Sequence, residues 1–315
     1  MRSSKLKIFT LFVSFVFALS LAPSMTSFAA SNKCGNNLTW SFSGNTLTIS
    51  GSGDMYDYAI EDGGTPPWYN YKSTIKTVVF SGNITSIGDD AFSHCTSIEN
   101  ISIPNSVTSI GDSAFAYCYG LKSVYMSDSV SLIESGAFSY CKNLSYVKLS
   151  NRITRIYTGV FYSCTSLSSI TIPNSVKEIW EEAFTDCISL KRIVIPKGVT
   201  TIYDCAFYNC KNLTSVTGGS NLTIIWDYVF GGCTRLKTFK ISSKKLKKIG
   251  FGTFDNCTSL KTIYINKTTK LTKSGVKNAL KGSSVKTVKV KKSKVKKYKK
   301  FFAKKNSGRK VKVKK

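Results

Sequence analysis

A phrase of the form Ala-Phe-x-x-Cys-x-x-Leu recurs along this chain and sets what it can fold into. Variants of it place Phe at 92, 115, 138, 161, 184, 207, 230 and 254, with Cys three residues after each. The spacing is 23 residues, and 24 for the last. A fixed period of this length means one supersecondary unit stacked many times, since a single unit cannot bury its own apolar face. The expected architecture is therefore a repeat solenoid.

The unit is readable in Ile98–Cys118, where apolar residues fall at Ile98, Ile101, Ile103, Val107, Ile110, Ala114, Phe115 and Cys118. Ile101-Ser102-Ile103 has strand periodicity, two side chains inward and one outward. The same step recurs as Val124-Tyr125-Met126, Val147-Lys148-Leu149, Ile170-Thr171-Ile172, Ile193-Val194-Ile195, Phe239-Lys240-Ile241 and Ile263-Tyr264-Ile265. Pro104, Pro173 and Pro196 follow strands directly, where no ladder N–H is needed. Gly111-Asp112-Ser113-Ala114-Phe115 suits a turn entering a short helical return. Two irregularities stand out. Gly218 replaces the second inward strand residue and predicts weaker pairing there. One residue is inserted around Gly250-Phe251-Gly252, where glycines can absorb a bulge.

The ends differ from the repeats. Arg2, Lys5 and Lys7 precede an apolar run from Ile8 to Leu21, with small residues at Ser27, Ala29 and Ala30, the pattern of a secretory signal peptide over 1–29. The run is short of the ~20 residues a membrane-spanning helix needs. Residues 30–74 read as an N-terminal cap containing a β-hairpin, with Leu38, Trp40 and Phe42 alternating against Leu47 and Ile49; Pro66, Pro67 and Trp68 are expected on the first rung. The solenoid spans 75–266. Residues 267–315 form a lysine-rich C-terminal cap or tail: Val285, Val288 and Val290 restore strand spacing. Ser293 is a candidate cap for a helix to about Lys304, presenting Val295, Tyr298, Phe301 and Phe302 on one face, and Val311 and Val313 suggest a last strand.

The formal charge of +28 is unevenly placed. From Lys267 onward there are 21 Lys or Arg and no Asp or Glu, whereas residues 30–266 carry 21 basic against 17 acidic residues, a balance of +4. A polyanion partner, such as an anionic cell-wall polymer, is therefore expected at the C-terminal end, with Lys291, Lys292, Lys296, Lys297, Lys299 and Lys300 as its contacts.

Ile-Pro-x-Ser-Val-x-x-Ile-Gly-x-x-Ala-Phe-x-x-Cys, as at Ile103–Cys118, resembles the BspA-type bacterial leucine-rich repeat family. Cys34-Gly35, Leu38-Thr39-Trp40 and Pro67-Trp68-Tyr69 resemble the segment that often precedes such repeats. The resemblance implies a leucine-rich repeat solenoid and an exported or surface-associated interaction protein, with adhesion to host proteins in some members.

The candidates for chemistry argue against catalysis. Eight cysteines in one slot would stack as a row, which neither converges four ligands on a zinc ion nor aims neighbouring Cβ atoms at each other for disulfides. Small buried thiols are the better account. Cys34 and Cys205 stand outside that row, too far apart to pair, and Cys205 is expected to be exposed. His94, the only histidine, neighbours Cys95 but occupies a variable turn slot, with Cys95 facing inward. Asp89-Asp90 and Glu181-Glu182 read as solvated turn residues rather than an acid and base. No metal, cofactor or catalytic set is expected.

The outward strand positions remain as a surface: Ser102, Tyr125, Lys148, Thr171, Val194, Thr217, Lys240 and Tyr264, flanked by Lys122, Tyr146, Lys191, Arg192, Lys237 and Lys261. Solenoids bind partners on such faces, and Tyr and Arg are enriched at hot spots. The expected contacts to a protein or glycan are Tyr125, Tyr146, Lys148, Arg192, Lys240 and Tyr264. The expectation is a secreted or cell-surface, non-enzymatic adhesion protein, the alternative being a structural envelope protein held on wall polyanions by its lysines.

Overall fold

The computed structural model describes residues 32–265, 267–268 and 270–315. The expected signal peptide lies outside them. The described chain is a β-solenoid of about ten turns. In the unit that begins at Ile98, the strand Asn100–Ile103 leads through a turn to the two-residue strand Ser109–Ile110, then to a return through Phe115 and Cys118. Ile101, Ile103, Val107, Ile110, Ala114, Phe115, Cys118 and Leu121 are all buried, so each rung places its apolar residues on one central column.

Stacking the longer strands makes a broad parallel sheet in two runs. Asn100–Ile103, Ser123–Met126 and Tyr146–Lys148 form the first, in register at 23 residues. Arg192–Ile195, Ser215–Gly218, Thr238–Ile241, Thr262–Ile265, Thr287–Val290 and Lys312–Lys314 form the second. The expected strand Ile170-Thr171-Ile172 belongs to neither run. The turn before it is altered: in the slot of Pro104, Pro173 and Pro196, buried Ser150 accepts the Arg152 N–H on its Oγ at 3.1 Å, and Asp128 takes the Asn151 N–H at 2.9 Å. Side-chain acceptors have replaced the usual turn, and strand Tyr146–Lys148 ends one residue early. The short strands form a second, narrow sheet, likewise interrupted, between Leu132–Ile133 and Arg155–Ile156.

The returns are not helical, contrary to expectation. Alternate N–H groups donate to carbonyls of the next rung, as in Asp90 to Asp112, Phe92 to Ala114 and His94 to Ala116 at 2.8–2.9 Å, while the intervening ones close tight turns within the rung. This requires two left-handed residues per rung. One slot holds Asp90, Ser113, Gly136, Gly159, Glu182, Cys205 and Tyr228; the other holds His94, Tyr117, Tyr140, Ser163, Asp186 and Asn209. The resulting ladder runs unbroken where both sheets are interrupted: Phe138 donates to Val160, and Phe161 to Ala183, at 3.0 and 2.9 Å. Inside it the phenyl rings stack, for example Phe92–Phe115 at 5.1 Å and Phe184–Phe207 at 5.1 Å between centroids. Each thiol from Cys118 to Cys257 donates to the carbonyl of the preceding rung's Phe, at 3.0–3.3 Å. Cysteine is thus a small donor that fits beneath a phenyl stack.

The two irregularities resolve differently from expectation. Gly218 keeps full register with Ile195 and Ile241. It is glycine because its φ is +95° and an added Cβ would sit 2.3 Å from the Ile195 carbonyl oxygen. The extra residue lies upstream of Gly250: Val216 pairs with Phe239 at 23 residues, but Ile224 with Lys248 at 24. The intervening turn is pinned by buried Ser243, whose Oγ donates to the Leu222 carbonyl at 2.6 Å and accepts the Lys245 N–H at 2.9 Å.

At the N-terminal end, strands Leu38–Ser43 and Thr46–Asp54 form the expected hairpin, and the second pairs in parallel with Thr77–Ile87, the first rung. Trp68 is buried and stacks on Phe92 at 5.7 Å. Its Nε1–H donates to the Ala91 carbonyl at 2.8 Å, and the Tyr58 N–H to that of Asp89 at 3.0 Å. Those carbonyls are the ones that, in later rungs, accept from the rung before.

At the C-terminal end the lysine-rich segment is no appended tail. Thr287–Val290 and Lys312–Lys314 extend the broad sheet, and the return ladder continues as Asn278 to Asn306 and Leu280 to Ser307. The helix between them runs only from Val295 to Phe301, and neither Ser293 nor any other side chain caps it; a one-turn helix follows at Lys304–Ser307. Tyr298 and Phe302 are buried on the core, with Val295 and Phe301 partly so.

Candidate binding surface

The residues first considered for chemistry are occupied by structure. Asp57, Asp89, Asp204 and Asp227 each accept a backbone N–H from the following rung, at 3.1, 2.7, 2.6 and 2.9 Å, and Asp90 accepts the Ile60 N–H at 3.3 Å. The acidic turn residues therefore hold rungs together rather than merely facing solvent. Burial raises the carboxyl pKa values of Asp89, Asp90, Asp204 and Glu182. His94 stacks on Tyr117 at 4.6 Å, and burial followed by the Lys72 charge holds its pKa below the ordinary value. Cys95 is buried away from it, its pKa pushed up to about 12 by burial. Cys205 is half-buried rather than exposed, and burial raises it to about 12 as well; thiolate chemistry at neutral pH is disfavoured at both.

The outward row of the broad sheet is open. Ser102, Tyr125 and Lys148 are cross-strand partners in the first run. Val194, Thr217, Lys240, Tyr264, Lys289 and Lys314 continue it in the second. Thr171 lies between the runs, outside strand pairing. Tyr125 and Tyr146 are 47% and 48% exposed and lie 5.2 Å apart, their rings tilted at 40°. Lys148 and Arg192 are exposed, but Arg192 sits beyond the interruption, so the six expected contacts fall into two groups: Tyr125, Tyr146 and Lys148, then Arg192, Lys240 and Tyr264. Val194 at 66% is the most exposed of the large apolar side chains described. The expected polyanion contacts Lys291, Lys292, Lys296, Lys297, Lys299 and Lys300 are exposed around the short helix and the turn before it, not aligned on one row.

One surface feature was missed in the sequence. Tyr157, Trp180, Tyr203 and Trp226 occupy one slot in four consecutive rungs, with ring centroids 5.0–6.3 Å apart. Glu178 accepts from Arg155 Nε at 2.9 Å, Trp180 Nε1 at 3.3 Å and Tyr203 OH at 3.4 Å, and Lys248 Nζ lies 3.6 Å over the Trp226 ring. The signal was the 23-residue spacing of four aromatics at a position held by Gly88, Gly111 and Gly250 in other rungs.

A stack of short parallel strands with an apolar return and an open outward row defines a leucine-rich repeat solenoid. The sequence pattern of the BspA type leucine rich repeat region, six copies long, matches residues 68–191 and again 177–308. The chain belongs to the BspA-type leucine-rich repeat family. No curated protein matches it. Among solved structures, it is similar to a leucine-rich cell surface protein from Faecalibacterium prausnitzii, at 21% identity over 89% of this chain and 93% of that one, TM-score 0.49. A leucine-rich repeat protein from Bacteroides ovatus is 22% identical over 89% and 99%, TM-score 0.42. The T. pallidum leucine-rich repeat protein is 24% identical over 71% and 87%, TM-score 0.43.

Proposed function

We propose that this chain is an exported, non-enzymatic binding protein that meets a protein or glycan at a cell surface through the outward face of its broad sheet. The observation that carries this reading is the exposed Tyr125–Tyr146 pair beside Lys148, aromatic area held on a hydrogen-bonded scaffold with no packing duty. Rigid aromatic groups bind at low entropic cost, and many weak contacts along one face sum to avidity. The basic N-terminal residues and apolar run read in the sequence support export. No helix among the described residues is long and apolar enough to cross a membrane.

A second reading, retention on wall polyanions by the lysine-rich end, is favoured by one count: 22 Lys or Arg and no Asp or Glu from residue 256 onward. Deleting residues 267–315 cannot test it cleanly, because Val276, Leu280, Tyr298 and Phe302 would leave the core. Substitution is the better probe. Binding of the purified chain to isolated cell envelopes is measured across a salt series for the Tyr125→Ala/Tyr146→Ala double variant and for a lysine-reversed variant, Lys296→Glu/Lys297→Glu/Lys300→Glu. Loss with the tyrosines at constant salt response supports the strand face. Loss with the lysines alone, steeply salt-dependent in the parent, replaces it with electrostatic retention.

A further inference from the structure

The last rungs carry a pattern that neither tail nor helix explains. On the broad sheet Lys240 lies opposite Tyr264, Tyr264 opposite Lys289, and Lys289 opposite Lys314. The neighbouring outward row is Thr262, Thr287 and Lys312 in the same register. Lys240, Lys312 and Lys314 are exposed, and Tyr264 keeps 36% of its surface. The ion pairs of the described residues are Lys122–Glu99, Arg155–Glu178 and Lys248–Asp227, so no carboxylate side chain pairs with these lysines; Lys289 Nζ donates to the main-chain oxygen of Lys315 at 2.7 Å. Asp255 is the last acidic residue of the chain.

Like charges directly opposite on neighbouring strands are destabilising, and a surface that needed only solubility would mix signs. Lys289 facing Lys314 is such a pair; the Lys315 main-chain oxygen takes one bond from Lys289, and an anion lying along the row lowers the repulsion that remains. Strands spaced ~4.8 Å apart set Lys240, Lys289 and Lys314 on one line, two strands and then one strand apart, which suits a linear polyanion better than a compact one. The chemistry around them is specific. Tyr264 offers a ring face between Lys240 and Lys289, and the adjacent threonines offer hydroxyls. A sugar ring presents C–H groups to an aromatic face and hydroxyls to hydroxyls, while its acidic substituents pair with ammonium groups.

We propose that the broad sheet around Tyr264, with Lys240, Lys289, Lys312 and Lys314, is a binding site for an anionic polysaccharide lying across the strands. The site deepens the strand-face reading and rests on it. It also moves the polyanion contacts from the helix, where Lys296, Lys297, Lys299 and Lys300 surround seven residues, to a flat and hydrogen-bonded surface.

The test uses the full purified chain, with heparin, chemically desulfated heparin, neutral dextran of equal length and a single-stranded oligonucleotide as probes. Affinities are measured by titration calorimetry over a salt series, with circular dichroism melting to confirm folding. Heparin binds, neutral dextran does not, and desulfated heparin reports whether carboxylates suffice or sulfates are needed. Lys240→Glu/Lys289→Glu/Lys314→Glu weakens heparin roughly tenfold or more, whereas the equally charged Lys296→Glu/Lys297→Glu/Lys300→Glu weakens it under about threefold. A Lys→Gln version of the strand triple serves if charge reversal impairs folding. Tyr264→Ala weakens heparin several-fold without changing the salt slope, because it removes stacking and no charge. Equal losses from the two triples, an unaffected Tyr264→Ala, or tighter binding of the oligonucleotide overturns the proposal. If heparin fails to bind while Tyr125→Ala/Tyr146→Ala still abolishes envelope binding, this site falls and the strand-face reading stands. If heparin binding behaves as described but envelope binding ignores every strand-face variant, the reading of function fails instead.

Discussion

The return ladder and the broad sheet come from the same 23-residue unit, yet they differ along the chain. The ladder keeps its Phe stack from Phe92 to Phe254, its thiol donors from Cys118 to Cys257, and its rung-to-rung bonds across both sheet interruptions. The sheet loses pairing at 170–172, accepts glycine at 218, and exchanges serine for tyrosine, lysine or valine on its outer row. Invariant side chains therefore gather where hydrogen bonding needs unusual backbone and close packing together. Variation gathers where a strand supplies its own hydrogen bonds and leaves one side chain to solvent. The ladder is the spine, and the sheet is the side available to a partner.

The largest expected effect separates the two directly. Phe161→Ala opens a cavity between two stacked rings and costs about 3–5 kcal/mol, whereas Val194→Ala on the exposed row stays within about 0.5 kcal/mol. Denaturant midpoints read both, and comparable values would erase the distinction between spine and open side. Next in size is local opening. Amides of Phe161 and Ser163, which bridge rungs at 2.9 and 2.8 Å, should exchange hydrogen much more slowly than those of Ile170–Ile172 beside them. Equal protection across that rung would mean that the interruption carries no loss of stability.

The smallest effect concerns a ladder carboxylate. Burial raises the pKa of Asp90, so the native state binds its proton more tightly than the unfolded chain. Its contribution to stability is then whole below the ordinary carboxylate pKa and lost as the pH rises through the folded value. Asn tolerates the left-handed backbone at φ +52° and still accepts the Ile60 N–H. Asp90→Asn should therefore melt slightly higher than the parent at neutral pH, by less than about 0.5 kcal/mol, and match it in acid. A gain that persists in acid would place the effect outside Asp90 ionisation.

Much of this was legible in the period alone. Equal spacing of Phe and Cys required both to be buried at one place in every rung, and the alternation around Tyr125, Lys148 and Tyr264 named the outward row. The returns were misread because their left-handed slots hold Asp, Ser, Glu, Tyr and His instead of a glycine signature, so the Gly-Asp-Ser-Ala-Phe run looked like a helix start. Those residues are tolerated because the bonds between rungs fix the backbone on both sides. The strands of the last two rungs were legible in Val285, Val288 and Val290 and in Val311 and Val313, but their rank as full rungs was not. They keep the strand valines but have lost Phe and Cys, with Leu280 and Tyr298 taking over the packing, so the repeat signature ended before the sheet did. The aromatic slot from Tyr157 to Trp226 escaped notice because it directly follows the two-residue strands, away from the strand triplet.

The backbone bonds of the return ladder run one way, N–H to the C-terminal neighbour, whereas those of the turns on the other sides of each rung, such as Thr108 to Thr85 and Gly111 to Ile87, run the opposite way. Opposed rows of peptide dipoles offset each other, so the polarity of the molecule is set by its side chains. Residues 32–135 carry ten acidic and four basic residues, while 256–315 carry 22 basic and none acidic. The molecule is thus a compass needle for fixed charge. Near an anionic surface it turns before it touches, arriving with its lysine rungs first and its tyrosine pair farther out.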